Sequence, residues 1–224
     1  MRGQYSARFR RLFDFYLQLK LRSGFEKVIF ELGQIQNQLN PSVPVLFVSN
    51  HMSWWDGFFL LELQKKLTPN FSHFTLMLES ELTQFPFLRK LGAVGLVPHD
   101  PFSVARSFLE LRRLRRSLGA LSIGFFPQGE IRPQQYRPLG FQKGLDPLIR
   151  LLHPIQVVPV ALHIEPMQTP KPSAWIRTGR IRRSDQEAIR TDDLEDEILQ
   201  LLKISALDKS LELLRGPIAQ ERSV

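Results

Sequence analysis

The sequence predicts an α/β fold: a single domain with a mixed, largely parallel central sheet flanked by helices, preceded by an N-terminal amphipathic helical segment. Two patterns predict it. Apolar runs of strand length, Val45-Leu46-Phe47-Val48, Leu121 to Phe126 and Val157 to His163, alternate with stretches whose apolar residues return every three or four positions. Such strand and helix alternation builds parallel sheets through crossover helices. The chain has 224 residues, 43% of them hydrophobic, with no internal repeat or low-complexity segment. That is enough to bury one full core, and one α/β domain is the simplest division.

Residues 1–36 are expected to form a basic, amphipathic, helical membrane-contact segment, and residues 37–224 the α/β domain. Of the excess charge of +8, much lies in the first 27 residues, where Arg2, Arg8, Arg10, Arg11, Lys20, Arg22 and Lys27 face only Asp14 and Glu26. Tyr5, Phe9, Leu12, Phe13, Tyr16 and Leu17 fall at helical spacing along one stripe. A basic helix with an aromatic stripe suits an anionic lipid surface, the alternative being a stripe that packs on the domain's own core. No stretch approaches the ~20 continuous apolar residues of a membrane span, and charges interrupt the N-terminal segment too often for a secretory signal. The expected location is peripheral, on the cytoplasmic face of a membrane.

Val45 to Val48 reads as a buried strand and Gly57 to Leu67 as the helix after it. Asp100-Pro101 opens a helix in which Val104, Phe108, Leu111, Leu114 and Leu118 repeat at helical spacing until Gly119 stops it. Its polar face carries Arg106, Arg112, Arg113, Arg115 and Arg116, either a solvated face or a surface for phosphates, lipid head groups or an acidic protein. Leu121 to Phe126 is a central strand, Leu145 to Leu152 a short helix, and Val157 to His163 and Ala174 to Thr178 two further strands. Pro166 to Pro172 is a loop. From Asp185 the chain turns acidic and helical, with Leu194, Ile198, Leu201 and Leu202 on one face and an end near Gly216-Pro217.

The chemistry concentrates in Asn50-His51-Met52-Ser53-Trp54-Trp55-Asp56, directly behind the first strand. A turn here, with Asp56 in the first turn of the following helix, brings carboxylate and imidazole together; one continuous helix would splay them apart. In such a pair the carboxylate holds one ring nitrogen as a donor and leaves the other to accept a proton from a hydroxyl. Ser53 is placed to cap the helix, and Trp54 and Trp55 to wall an apolar pocket, meet an interface or fill the core.

The stretch resembles the first motif, Asn-His-x-Ser-x-x-Asp, of the glycerolipid acyltransferase family, which includes the bacterial 1-acylglycerol-3-phosphate acyltransferases and belongs to the lysophospholipid acyltransferase superfamily. Asn50, His51, Ser53 and Asp56 match it in order. Phe85-Pro86-Phe87-Leu88 and Gly92 to Val97 resemble the second block, but the family arginine is missing, and Pro98-His99-Asp100 stands where the strand runs out. His99 supplies charge there only when protonated. Phe126-Pro127-Gln128-Gly129-Glu130-Ile131-Arg132 corresponds to the family's Phe-Pro-Glu-Gly-Thr-Arg, with the carboxylate two places and the arginine one place further along. Phe141-Gln142-Lys143-Gly144 is similar to the Phe-x-Lys-Gly segment, and Val157-Val158-Pro159-Val160 to the fourth block.

The resemblance implies an O-acyltransferase with His51 and Asp56 catalytic and with Asn50, Ser53, Gln128, Gly129, Glu130, Arg132 and Lys143 as substrate-binding candidates. It implies acyl-CoA or an acyl carrier protein as donor, a lipid hydroxyl as acceptor, no further cofactor and no metal. A lysophospholipid such as 1-acylglycerol-3-phosphate is the expected acceptor, with a glycosylated lipid or carotenoid-type alcohol as the alternative. Arg132 is expected either to reach an anionic group or to pair with a surface carboxylate.

Other classes lack their signatures. There is no Gly-x-Ser-x-Gly elbow for a serine hydrolase, no metal-ligand spacing among the five histidines and no nucleic-acid reading module, so nucleic acid is not an expected partner. With no cysteine, a cysteinyl-acyl intermediate is excluded. A catalytically silent lipid-binding scaffold is the remaining rival, against which the intact His51 and Asp56 stand.

Overall fold

The computed structural model describes residues 6–33, 35, 37–166 and 168–215. Arg2, Tyr5 and the expected helix end at Gly216-Pro217 lie outside the described residues. Alternating apolar strands and amphipathic helices form a sheet of eight strands among the described residues: β1 (Lys27–Glu31), β2 (Val45–Ser49), β3 (Ser72–Leu78), β4 (Ala93–Leu96), β5 (Leu121–Phe125), β6 (Gln156–Glu165), β7 (Ser173–Thr178) and β8 (Arg182–Arg183). Their order is β1-β7-β6-β2-β5-β3-β4, with β8 on β6. All pairings are parallel except β6 with β7 and β6 with β8. The sheet is therefore mixed and largely parallel, as the alternation predicts.

Among the described residues six α-helices cover it: α1 (Ala7–Gly24), α2 (Asp56–Leu67), α3 (Glu79–Gln84), α4 (Pro101–Leu118), α5 (Leu145–Leu151) and α6 (Thr191–Arg215). Successive side chains of a strand point to opposite faces, so β2 divides its apolar residues between two cores. Val45 and Phe47 join α1 and α2 on one side. Leu46 and Val48 join α4, α5 and α6 on the other. Because β2 is fully buried on both faces, its sequence is continuously apolar instead of alternating.

Two elements differ from the sequence reading. Helix α1 stops at Gly24, and Lys27–Glu31, inside the segment expected to be helical, pairs in parallel with β7 at the sheet's edge. Residues 72–78, for which no element was assigned, form the parallel strand β3 between β5 and β4. Between α3 and β4, a 3₁₀ turn over Pro86–Leu91 ends at Gly92. Gly92 has φ 103°, and a Cβ there would lie 2.3 Å from the His73 carbonyl oxygen, so glycine alone fits this close approach.

The α1 stripe is also divided. Phe13, Leu17 and Leu21 are buried against the domain, with the Phe13 ring 5.6 Å from Phe58 and 5.8 Å from Phe87. Leu12, Phe15, Tyr16 and Leu19 point the other way, and Leu12 and Phe15 are about 70% exposed. At 100° per residue one helix carries both an inward and an outward apolar face, so packing on the core and an outward apolar surface coexist. Among the described residues no helix is long and apolar enough to cross a membrane.

Candidate active site

The site forms where β2 and β5 end. In a parallel sheet this carboxyl edge is where loops from neighbouring strands converge. The last ladder pair of β2 with β6 is Ser49 and Val160. One step on, the Asn50 side chain takes the place of a peptide: its Nδ2 donates to the Leu162 carbonyl at 2.9 Å, and its Oδ1 accepts from the Leu162 N–H at 2.8 Å. The chain thus leaves the sheet in a fixed direction, with the buried amide both donating and accepting a hydrogen bond.

His51 is held by its backbone as well as its ring. Its N–H donates to Gln128 Oε1 at 2.6 Å, and its carbonyl accepts from the Arg132 N–H at 3.0 Å. The imidazole lies over the Phe126 ring with centroids 4.3 Å apart, and its Nδ1 is 2.8 Å from Asp56 Oδ2. Phe126, Gln128 and Arg132 all belong to the loop after β5. Positioning of the imidazole is therefore shared between two loops that are far apart in sequence and adjacent in the sheet.

Asp56 is fully buried, yet each carboxylate oxygen is satisfied. Besides the imidazole, Oδ2 accepts from the N–H groups of Met52 (2.6 Å) and Ser53 (2.8 Å), and Oδ1 from the Ser53 hydroxyl (2.6 Å). The carboxylate also sits in the first turn of α2, where the helix dipole and unpaired N–H groups favour negative charge. These contacts compensate for its burial and aim one oxygen at Nδ1. The expected Ser53 cap is replaced by this arrangement: the helix begins at Asp56, so the Ser53 hydroxyl is spent on that carboxylate and on accepting the Trp55 N–H.

With Nδ1 directed to Asp56, His51 forms part of the wall of a cavity of about 350 Å³. Its other walls come from α2 (Phe58, Leu61), β3 (Leu76, Met77, Leu78), the 3₁₀ turn (Leu88, Leu91) and β4 (Ala93, Leu96), and Trp54 and Ile131 contribute as well. Apart from His51, Glu81, Glu130 and Thr75 the lining side chains are apolar. An imidazole with one free ring nitrogen at the edge of an apolar slot can take a proton from a hydroxyl while an aliphatic chain occupies the slot. Among the described residues no cluster of histidine and carboxylate side chains is placed to hold a metal ion.

A model of the Acyltransferase family matches residues 33–163, which is more than half of the chain. The chain belongs to the acyltransferase family. No curated protein matches the sequence. Among solved structures the fold is similar to the crystal structure of the 1-acyl-sn-glycerophosphate (LPA) acyltransferase, PlsC, from Thermotoga maritima, at 15% identity and a TM-score of 0.55 over 94% of this chain and 81% of that one. At that identity the likeness is one of fold.

In this acyltransferase the remaining sequence candidates take different places. Of the nine, His51, Gly129 and Glu130 line the cavity. Asn50, Ser53 and Gln128 are engaged in holding the loops, as described. Gly129 has φ 73° and its N–H closes a turn onto the Phe126 carbonyl; a Cβ there would meet Gln142 Nε2 at 2.9 Å. Arg132 pairs with Glu130 through Nε and Nη2, both 2.9 Å from Oε1, and donates from Nη1 to the Leu139 carbonyl at 3.0 Å. Its guanidinium also lies over the Tyr136 ring at 5.0 Å. Lys143 is exposed and lies outside the cavity lining. The two adjacent tryptophans separate: Trp54, half exposed, lines the cavity, and Trp55 packs edge-on against Phe25.

Sequence reading missed the cavity's far wall on β3 and the 3₁₀ turn. Its signal was present in the run Phe74-Thr75-Leu76-Met77-Leu78, apolar and of strand length.

Proposed function

We propose that the protein moves a fatty acyl group from an acyl thioester, acyl-CoA or acyl carrier protein, to a hydroxyl of a lysophospholipid-type lipid such as 1-acylglycerol-3-phosphate. The observation that carries this reading is the His51 imidazole, bound through Nδ1 to a buried carboxylate, on the wall of an apolar cavity. His51 Nε2 takes the acceptor hydroxyl proton as the oxygen attacks the thioester carbonyl carbon. The tetrahedral oxyanion then collapses, the carbon–sulfur bond breaks, and the departing thiolate takes the proton from His51. Glu130 and Ile131 line the same cavity, and among the described residues their peptide N–H groups make no hydrogen bond, which leaves them as the candidate donors to the oxyanion. Elsewhere one such donor is worth roughly 3–4 kcal/mol. The cavity holds the acyl chain away from water while its thioester end meets His51.

The outward face of α1 supports a peripheral position on an anionic membrane, on the cytoplasmic side where acyl thioesters are made. Leu12, Phe15, Tyr16 and Leu19 are exposed, and the basic residues Arg8, Arg11, Lys20 and Arg22 around them are exposed as well. An apolar strip rimmed by cations fits the boundary between acyl chains and anionic head groups.

One observation favours a second acceptor class. Arg132, the cation of the third block, is already paired with Glu130, and no arginine stands where the strand of the second block ends, so the positive charge an acceptor phosphate needs is partly neutralised. A neutral alcohol on a glycosylated lipid or carotenoid meets no such competition. The deciding experiment incubates purified protein with hexadecanoyl-CoA or hexadecanoyl carrier protein and a panel of phosphorylated and neutral lipid alcohols, following thiol release and acylated product. Turnover that vanishes in His51→Ala supports the reading, and preference within the panel selects the acceptor class. A protein inert towards every pair overturns it in favour of a lipid-binding scaffold.

A further inference from the structure

Helix α4 carries an outward stripe that its packing does not account for. Phe108 and Leu111 bury its inner face in the second core. On the opposite side Phe102, Arg106, Leu109, Arg113 and Arg116 follow one another at intervals of four, three, four and three residues, which aligns them along the helix. All five are exposed, Phe102 by 83% and Leu109 by 55%. Arg112 flanks the stripe, and Glu110 is the one acidic residue of the helix.

Arg115 is accounted for by its bonds to the Leu152 and His153 carbonyls, and burial, then the like charge of Arg112, holds its pKa below the ordinary guanidinium value. The side chains of Arg106, Arg112, Arg113 and Arg116 make no hydrogen bond or ion pair among the described residues. Phe102 and Leu109, interleaved with these arginines, give the cationic face apolar contact area as well as charge.

Position decides between partners. Helices α1 and α4 cover opposite faces of one sheet, so their outward surfaces point in opposite directions. A planar membrane that contacts the α1 face leaves the α4 face towards the aqueous phase. The first two turns of α4 are tied to the cavity wall: the Ser107 hydroxyl donates to the Gly95 carbonyl at 2.6 Å, and the Val97 N–H donates to the Ser103 hydroxyl at 3.0 Å. Leu96, between them, lines the cavity. From Phe102 to Arg116 the stripe spans about 21 Å at 1.5 Å per residue, an extent that fits a protein helix. The phosphates of coenzyme A do not need the interleaved apolar residues.

We infer that the outward face of α4 docks a soluble acidic protein carrying the acyl thioester, so that the donor arrives from the aqueous side while the acceptor comes from the membrane. This rests on the acyltransfer reading for the donor's chemistry but not for the surface itself. Carboxylates on the partner meet Arg106, Arg113 and Arg116, and an apolar contact on it covers Phe102 and Leu109.

The test uses the full chain and a fluorescently labelled, hexadecanoyl-loaded bacterial acyl carrier protein, with binding read by anisotropy at low and high salt. Two sets of exposed substitutions are compared with the parent, Arg106→Glu/Arg113→Glu/Arg116→Glu and Phe102→Ser/Leu109→Ser. Each set is expected to weaken carrier binding by about tenfold or more, as loss of several rim charges or apolar anchors does. The rate with hexadecanoyl-CoA and sedimentation with anionic vesicles should stay within about twofold of the parent. The inference is overturned by absence of carrier binding to the parent, by variants that bind as the parent does, by an equal loss with the coenzyme A donor, or by a loss of vesicle binding. Carrier binding that responds to the substitutions without turnover upholds the docking face and sinks the catalytic reading. Turnover with both donors and no response to charge reversal sinks the docking face alone.

Discussion

At the scale of single residues the His51 imidazole is constrained through both its ring and its peptide. His51→Ala should reduce kcat by about 10²–10⁴, the usual contribution of a positioned base, with little change in melting temperature because the ring is partly exposed. Asp56→Asn should lose a comparable fraction of kcat. It should also lower stability by roughly 1–3 kcal/mol, since the buried carboxylate accepts four hydrogen bonds that an amide cannot all replace. A melting curve separates the two effects. Gln128→Ala removes the acceptor of the His51 N–H and should lower kcat more than it changes KM, although Gln128 does not line the cavity. Glu130→Ala frees Arg132 and should improve turnover of phosphorylated acceptors relative to neutral ones in the same panel. The pairing of His51 with Asp56 was legible in the sequence because their spacing and the strand before them define a turn. Gln128 was read as touching substrate, because nothing in the local sequence shows that β2 and β5 lie side by side.

Individual elements show why periodicity alone was insufficient. The first helix has an apolar residue on nearly every side, so the sequence admitted either a membrane or the core as its partner, and the folded chain gives α1 an inward and an outward apolar face. The two faces predict opposite phenotypes. Phe13→Ala should destabilise the fold by about 3–5 kcal/mol in thermal unfolding. Leu12→Ser/Phe15→Ser/Leu19→Ser should leave the melting temperature nearly unchanged and abolish sedimentation with anionic vesicles. Strand β1 was concealed by the same helix: Val28-Ile29-Phe30 is β-branched and aromatic, but it follows an amphipathic run without a proline break. Its partner is β7, more than 140 residues away, and that pairing decides its conformation.

For the whole molecule, the interior sets an acid limit. His73, on β3 with its Nδ1 2.5 Å from the Ser122 hydroxyl, is buried, and its pKa falls to about 3, first through burial and then through the charges of Arg10 and Lys65. The unfolded chain binds a proton at this site near pH 6.5 and the folded chain does not, so between those values the unfolded state takes up more protons. Stability from this site is therefore complete above pH 6.5 and declines as pH falls towards 3, by as much as roughly 4–5 kcal/mol. His73→Asn should flatten the fall in melting temperature between pH 7 and pH 4, at the cost of a lower plateau at neutral pH. Activity at pH 7 should change little, because His73 lies outside the cavity lining.

What the sequence determined by itself is whatever local chemistry dictates. The strand-length apolar runs, the caps and stops of α4 at Asp100 and Gly119, and the turn that brings His51 to Asp56 depend on near neighbours in the chain. The tertiary structure alone decided which strands are adjacent, and so that Asn50 is fastened to β6, that the His51 peptide is clamped by the loop after β5, and that the cavity closes on β3 and β4. It alone also set α1 and α4 on opposite faces of the sheet. The physical reason is one of range: turns and caps are governed by bonds over a few residues, whereas parallel pairing joins segments tens of residues apart and leaves no local trace.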